Sequence, residues 1–114
     1  MSSGPLANLK VVDLSTVLAG PNCARYLADF GAHVIKVENP HTGDSLRGMA
    51  WRDPRDGKGL WWKLVNRNKQ TIAVDLKNPD DLQVIKDLID EADVLVENFR
   101  PGVLERLGLH PDEL

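Results

Sequence analysis

An amide, an aromatic ring and a guanidinium follow closely on one another where Val94-Leu95-Val96 gives way to Glu97-Asn98-Phe99-Arg100-Pro101-Gly102 and then to Arg106. The hydrophobic run reads as a buried strand, and Pro-Gly opens a short helix. Asn98, Phe99, the first N–H groups of that helix and Arg106 would then share one strand's carboxyl end. In open α/β sheets ligands bind at that edge, and helix N-termini favour anions there.

Other residues extend the chemistry. Lys69, after Asn66-Arg67-Asn68, and Lys77, after Asp75, could surround the phosphates of a nucleotide together with Arg106. Arginine supplies a planar fork and lysine a point charge; a solvated basic edge explains the same residues equally well. Asp13, Glu38, Asp75 and Glu97 each finish an apolar run. Paired carboxylates can serve acid–base chemistry. The preferred reading is plainer: such acids cap turns or pair with cations, here Lys36, Lys69 or Lys77. Ser15-Thr16-Val17-Leu18-Ala19-Gly20-Pro21 stands where a phosphate-binding turn would. Gly20 is alone and Pro21 has no N–H, so the dinucleotide fingerprint is missing, although Glu38 stands about where a ribose-binding acid would. A plain strand-to-helix turn is the alternative. Cys23 falls on an apolar helical stripe with Leu27 and Phe30, which favours core packing over a nucleophile. His33, His41 and His110 lack metal spacing or a paired acid, so neither a zinc site nor a Ser-His-Asp site is expected. Trp51, Trp61 and Trp62 could line a ligand tunnel or an interface, or pack as a lid.

The elements that must position these residues are legible. Lys10–Leu14, His33–Glu38, Thr71–Leu76 and Asp93–Phe99 are short runs rich in β-branched residues and continuously apolar, as strands covered on both faces are. Between them, Asn22 to Phe30 reads as a helix stopped by Gly31. Asn78-Pro79-Asp80-Asp81 is a strong helix start: Asn78 caps, Pro79 suits the first position, and two acids meet the positive end of the dipole. Leu82, Ile85, Leu88 or Ile89, and Ala92 form its apolar stripe. Pro101 to Leu107 opens another short helix, ended by Gly108. Strands alternating with helices give an α/β fold: a Rossmann-like open parallel sheet with flanking helices. The segment 39–63 is too long for a simple connection, and loops of that length are usually functional or mobile.

With 114 residues there is room for one compact domain. At 42% hydrophobic and 27% charged, the chain is too apolar for disorder. A net charge of −3 gives no global case for nucleic acid or an anionic membrane, so an anionic ligand needs a local cluster of cations. The single Cys23 excludes an internal disulfide and fits a reducing compartment. The start at Met1-Ser2-Ser3-Gly4-Pro5 has no signal-peptide pattern, and no run reaches membrane-spanning length. A cytoplasmic protein is expected. The end at Pro111-Asp112-Glu113-Leu114 resembles a helix just opening, which suggests part of a longer chain.

Taken in order, these segments resemble the family III CoA-transferases, which include formyl-CoA and carnitine-type CoA-transferases and the related α-methylacyl-CoA racemases. The resemblance is carried by Leu9-Lys10-Val11-Val12-Asp13-Leu14-Ser15, Val17-Leu18-Ala19-Gly20-Pro21, the run from Leu27 to Glu38, and Gly43-Asp44-Ser45-Leu46-Arg47-Gly48. It continues through Asn66-Arg67-Asn68-Lys69, Ala73-Val74-Asp75-Leu76-Lys77 and the Asn98 segment. No one motif suffices; the ordered set is specific. Asn66 to Lys69 and Val96 to Phe99 look more like the transferase branch, since racemases tend to carry glycine in place of the asparagine in the latter.

The resemblance implies that residues 1–114 are the N-terminal part of a CoA-binding Rossmann-like domain, the remainder of the family fold being absent. It implies that two ring-shaped chains interlock as a homodimer, with acyl-CoA and carboxylic acids as substrates and no metal. Carried over residue by residue, Val17, Leu18 and Ala19 line the CoA site near the thioester. Val74, Leu76 and Lys77 lie by the nucleotide, Asn98 and Phe99 contact the cofactor, and Arg106 and Leu107 flank the adenine and its phosphates. Many members carry arginine directly after the acid that ends the second strand. Here that residue is Asn39, and Arg47 or Lys36 are the candidates to replace it. The catalytic aspartate of the transferases, and the His and Asp pair of the racemases, lie beyond Leu114 in the family pattern. No catalytic residue is therefore assigned, and the 114-residue chain is expected to be inactive alone. A non-catalytic CoA- or nucleotide-binding or oligomerising module is the rival reading.

Overall fold

The computed structural model describes residues 4–114. Strands β1 (Lys10–Asp13), β2 (His33–Glu38), β3 (Gln70–Ala73) and β4 (Val94–Val96) form one parallel sheet in the order β3-β2-β1-β4. In register, Val12 stands opposite Ile35 on one side and Leu95 on the other. The sheet grows from β1 through β2 to β3, then reverses, because β4 lies beyond β1. This is the α/β, Rossmann-like arrangement expected from the continuous apolar runs.

Side chains alternate across a strand, so β1, β2 and β4 feed two cores, whereas the edge strand β3 packs only through Ile72 and leaves Thr71 and Ala73 exposed, contrary to the expectation of cover on both faces. Val11 and Val34 face helix α1 (Ala19–Asp29), where they pack with Ala24, Ala28 and Ala32. Val12, Leu14, Val37 and Val74 face the other way, onto Ile85 of helix α3 (Pro79–Glu91) and onto Leu104 and Leu109. Helix α3 forms as its start signal requires. Asn78 Oδ1 accepts from the N–H groups of Asp80 at 2.9 Å and Asp81 at 3.3 Å, with Pro79 in the first turn. Its stripe of Leu82, Ile85, Leu88, Ile89 and Ala92 joins the core.

Helix α1 differs from the expectation in extent and in facing. It begins at Ala19 rather than Asn22, and its buried residues are Gly20, Pro21, Ala24 and Ala28. Cys23 is exposed, and Phe30 is 55% exposed. Of the apolar stripe of Cys23, Leu27 and Phe30, only Leu27 packs against the core beneath α1. Small residues at helical spacing let α1 approach the strands closely, and Cys23 and Phe30 are turned aside. Gly20 is the tightest point: a Cβ there would collide with Cβ and Oγ of Ser15 and come within 3.3 Å of Asn98 Cγ.

The long connection is built rather than loose. It holds a 3-10 turn at Ser45–Gly48 and helix α2 (Leu60–Val65), where the sequence predicts an irregular loop over 39–63. Asp53, almost wholly buried, accepts from the N–H and guanidinium of Arg55 and, at 2.9 Å, from Lys63 Nζ. Lys63 also reaches Asp56 at 2.7 Å. Trp51 and Trp61 meet edge to face, with centroids 6.3 Å apart. The Arg47 guanidinium lies over the Trp62 ring at 3.7 Å. A short helix α4 (Val103–Arg106) follows Gly102, whose φ of 86° suits glycine. Among the described residues, no helix is long and apolar enough to cross a membrane.

Two outcomes follow from this packing. Gly20→Ala should lower the urea midpoint by the equivalent of about 1–3 kcal/mol through overpacking against Ser15; an unchanged midpoint would show that α1 has room to move. The Asp53 carboxyl is held below the usual range by Arg55 and then Lys63, and that of Asp56 by Lys63. Carboxyls lowered in the folded state stabilise it above their unfolded value, about pH 4, and lose that contribution only as pH falls through the folded value. Tryptophan emission should thus hold steady from pH 7 to about 4 and change below it. A transition above pH 5 would contradict this account of the loop.

Candidate functional site

Where the strands end, the face toward α1 turns from apolar to ionic. Asp13, Lys36 and Glu38 follow Val11 and Val34 on that face, and all are buried. The Lys69 ammonium donates to Asp13 Oδ2 at 2.9 Å, to the Pro21 carbonyl at 2.8 Å and to Asn66 Oδ1 at 2.9 Å. The Lys36 ammonium donates to Asp44 Oδ2 at 2.9 Å and to the Ser15 carbonyl at 3.1 Å. Glu38 takes a two-pronged hydrogen bond from Arg47, at 2.7 and 2.9 Å, and accepts from the Asp44 N–H at 3.1 Å. Buried charges persist only when paired and hydrogen-bonded, and each of these is. Burial pushes the Lys69 ammonium below the ordinary lysine value, and the Asp13 carboxylate acts in the opposite sense.

This cluster grips the turn between β1 and α1. Ser15 donates from both its N–H and its hydroxyl to Asp13 Oδ1. The Thr16 N–H donates to Asn98 Oδ1 at 3.0 Å, and Asn98 Nδ2 donates back to the Thr16 carbonyl at 2.8 Å. The Val17 N–H donates to the Asp44 carboxylate at 3.1 and 3.3 Å. The N–H groups that would cradle a phosphate here are already taken, two of them by carboxylates. Residues 15–17 are therefore not a phosphate nest. The crevice between β1 and β4, where the strand order reverses, is bridged by the Thr16–Asn98 pair.

The open space lies beside that bridge, on the α3 side. A cleft of about 300 Å³ is lined by Leu14, Thr16 and Val37, by Val74, Leu76 and Lys77, and by Phe99, Val103 and Leu107. An adjoining cleft of about 300 Å³ shares Leu76, Lys77 and Leu107 and adds Arg106. The acids along the first cleft are occupied: Glu38 by Arg47, Asp44 by Lys36, and Asp75 by the Lys77 N–H at 3.0 Å. Lys77 and Arg106 are exposed, and among the described residues neither forms an ion pair. An apolar floor with two free cations at one end suits an elongated ligand whose anionic part lies near them.

Of the residues singled out from the sequence, the structure brings Val74, Leu76, Lys77, Phe99, Arg106 and Leu107 together around these clefts. Val17, Leu18 and Ala19 stand apart at the head of α1, with Leu18 48% exposed. The Asn98 amide is committed to Thr16. The candidate replacements for arginine at position 39 are both engaged, Lys36 inside the sheet and Arg47 on Glu38. Asn39 itself accepts from the N–H groups of His41 and Thr42 in a local turn. The acids at strand ends do pair with cations or cap turns, Glu97 by accepting from the Phe99 N–H at 2.9 Å. Sequence reasoning missed Asp44. Its signals are a lysine, Lys36, within an apolar strand that needs a buried counter-charge, and an acid placed to cap the next turn at Leu46.

Asp13→Ala should strand Lys69 as a buried, uncompensated cation and cost about 3–5 kcal/mol, measured by chemical denaturation. Stability equal to that of the native chain would mean that water reaches Lys69.

The chain is similar in sequence and in fold to known proteins. Residues 6–114 match the model of CoA-transferase family III. The chain is 46% identical over 110 residues to the succinyl-CoA–D-citramalate CoA-transferase of Chloroflexus aurantiacus, covering 96% of this chain and 27% of that enzyme. It is 46% identical over 103 residues to the formyl-CoA:oxalate CoA-transferase of Afipia carboxidovorans, covering 90% of this chain and 24% of that enzyme. A CAIB/BAIF family protein from Brucella suis superposes with a TM-score of 0.87 at 37% identity, over 96% of this chain and 29% of that one. The chain thus spans about a quarter of the length of the curated relatives it matches. By the match over residues 6–114 and the identity to these transferases, the chain belongs to CoA-transferase family III.

Proposed function

We propose that residues 1–114 are the N-terminal, CoA-holding part of a CoA-transferase that moves CoA between carboxylic acids. The observation that carries this reading is the convergence of Val74, Leu76, Lys77, Phe99, Arg106 and Leu107 on two joined clefts at the sheet's carboxyl edge. CoA is long, apolar along its pantetheine arm and polyanionic at its nucleotide. Lys77 and Arg106 would take the phosphates, and Phe99 and Leu107 would take apolar surface. Relatives named for succinyl-CoA and formyl-CoA transfer support thioester substrates.

The chemistry belongs to residues this chain does not supply. In the transferase reading an aspartate carboxylate attacks the thioester carbonyl, forming an acyl-enzyme anhydride and releasing CoA thiolate. Asp13, Glu38 and Asp44 are each bound to a cation at the site, and Asp75 is engaged by the Lys77 N–H, which leaves none of them free as that nucleophile. The same observation favours, for the isolated 114 residues, a CoA-binding module without turnover. The whole protein would act as an interlocked homodimer in the cytoplasm.

Calorimetric titration of the chain with CoA, NAD and ATP tests the reading. CoA should bind in preference to both. Lys77→Ala and Arg106→Ala should each weaken CoA by about tenfold, the loss of one charge-assisted phosphate contact. Preferred binding of NAD would overturn the proposal, as would steady-state CoA transfer by this chain overturn the placement of the nucleophile outside it.

A further inference from the structure

The backbone of residues 15–17 is held by side chains, not by its neighbours' backbone. The Ser15 N–H goes to Asp13, the Ser15 carbonyl to Lys36, both polar groups of Thr16 to Asn98, and the Val17 N–H to Asp44. Val17 sits at φ 67°. This left-handed conformation is strained for a β-branched residue and persists only where the surroundings over-determine it. Asp44 is the group that over-determines it. Its side chain is wholly buried, it arrives from the connection after β2, and its two oxygens receive Val17 N–H, Leu46 N–H and Lys36 Nζ.

We infer that Asp44 is a positioning residue for the ligand turn. By holding Val17 in the left-handed region, it sets the direction in which Leu18 and Ala19 leave the turn and enter α1. Resting as it does on the CoA reading, and on the resemblance that sets Val17, Leu18 and Ala19 near the thioester, the inference places the effect at the acyl end of the ligand. The nucleotide end, at Lys77 and Arg106, is held by other elements. A carboxylate is required because donors converge on both oxygens. An amide would turn its own N–H groups toward a donor on one side. Lys36 serves Asp44 in this arrangement, as counter-charge and as a second hold on the turn through the Ser15 carbonyl.

The test compares acetyl-CoA with adenosine 3′,5′-bisphosphate, the nucleotide end alone, by calorimetry on the native chain, Asp44→Asn and Lys36→Met/Asp44→Leu. The double variant leaves no buried charge unpaired, so it keeps a folded sample available. Both variants should weaken acetyl-CoA by about tenfold, as expected for losing a hydrogen bond to a charged acceptor. They should leave the bisphosphate within about twofold, a difference too small to count as a lost contact. A parallel loss of both ligands would reduce Asp44 to a general structural role, and undiminished acetyl-CoA binding would overturn the inference outright. If the native chain binds neither ligand, it is the CoA reading that fails. The Val17 amide resonance then decides the inference on its own: it should move and lose exchange protection in both variants, and a resonance unchanged from the native one would overturn it.

Discussion

Everything at the carboxyl edge depends on two ammonium groups buried between the sheet and the turn into α1. Lys36 and Lys69 have fully buried side chains, and each is paired with an equally buried carboxylate at 2.9 Å. Such groups are costly to desolvate and are retained only when paired with a counter-charge and hydrogen-bonded. Meeting that requirement fixes the local geometry. Lys69 ties the segment before β3 to the end of β1 and to α1, through Asp13 and Pro21. Lys36 ties β2 to the turn after β1 and to the following connection, through Ser15 and Asp44. An apolar core of the same volume would hold the layers together, but it would not dictate where the Thr16 and Val17 backbone points.

This division of labour explains the position of the clefts. One face of the sheet edge is filled with ion pairs and clamps the turn; the other stays apolar, lined by Leu14, Val37, Val74 and Phe99, and remains open. Cations that the fold needs are consumed on the first face. Lys77 and Arg106, beyond the second, are left for a ligand. A chain with a net charge of −3 can thus offer a local site for a polyanion.

How much of this was legible in the sequence follows from the range of the forces involved. The inner strands β1 and β2 could be read because double burial demands continuous apolar runs, the exposed edge strand β3 by its β-branched residues, and α3 because Asn78, Pro79 and two acids act within one turn. The six residues of α2 gave no comparable signal, since Leu60 to Val65 are too few to show a period and carry no side-chain cap. Large apolar residues suggest a core stripe on α1, but of Cys23, Leu27 and Phe30 only Leu27 joins the core, because close approach to the sheet selects Gly20, Ala24 and Ala28. The resemblance located residues that gather at the clefts, such as Lys77 and Leu107. The Asp44–Val17 and Lys69–Asp13 contacts join residues 27 and 56 positions apart, a separation at which no local pattern reports pairing.

The central claim is that CoA lies at the carboxyl edge of this sheet, across the clefts shared by Leu76, Lys77 and Leu107. Chemical-shift mapping of the ¹⁵N-labelled chain during titration with CoA tests it most directly. The account expects the perturbed amides to cluster at Leu76, Lys77, Phe99, Arg106 and Leu107. Perturbation centred instead on the cavity at the opposite edge, lined by Lys10, His33, Gln70 and Leu88, would contradict it.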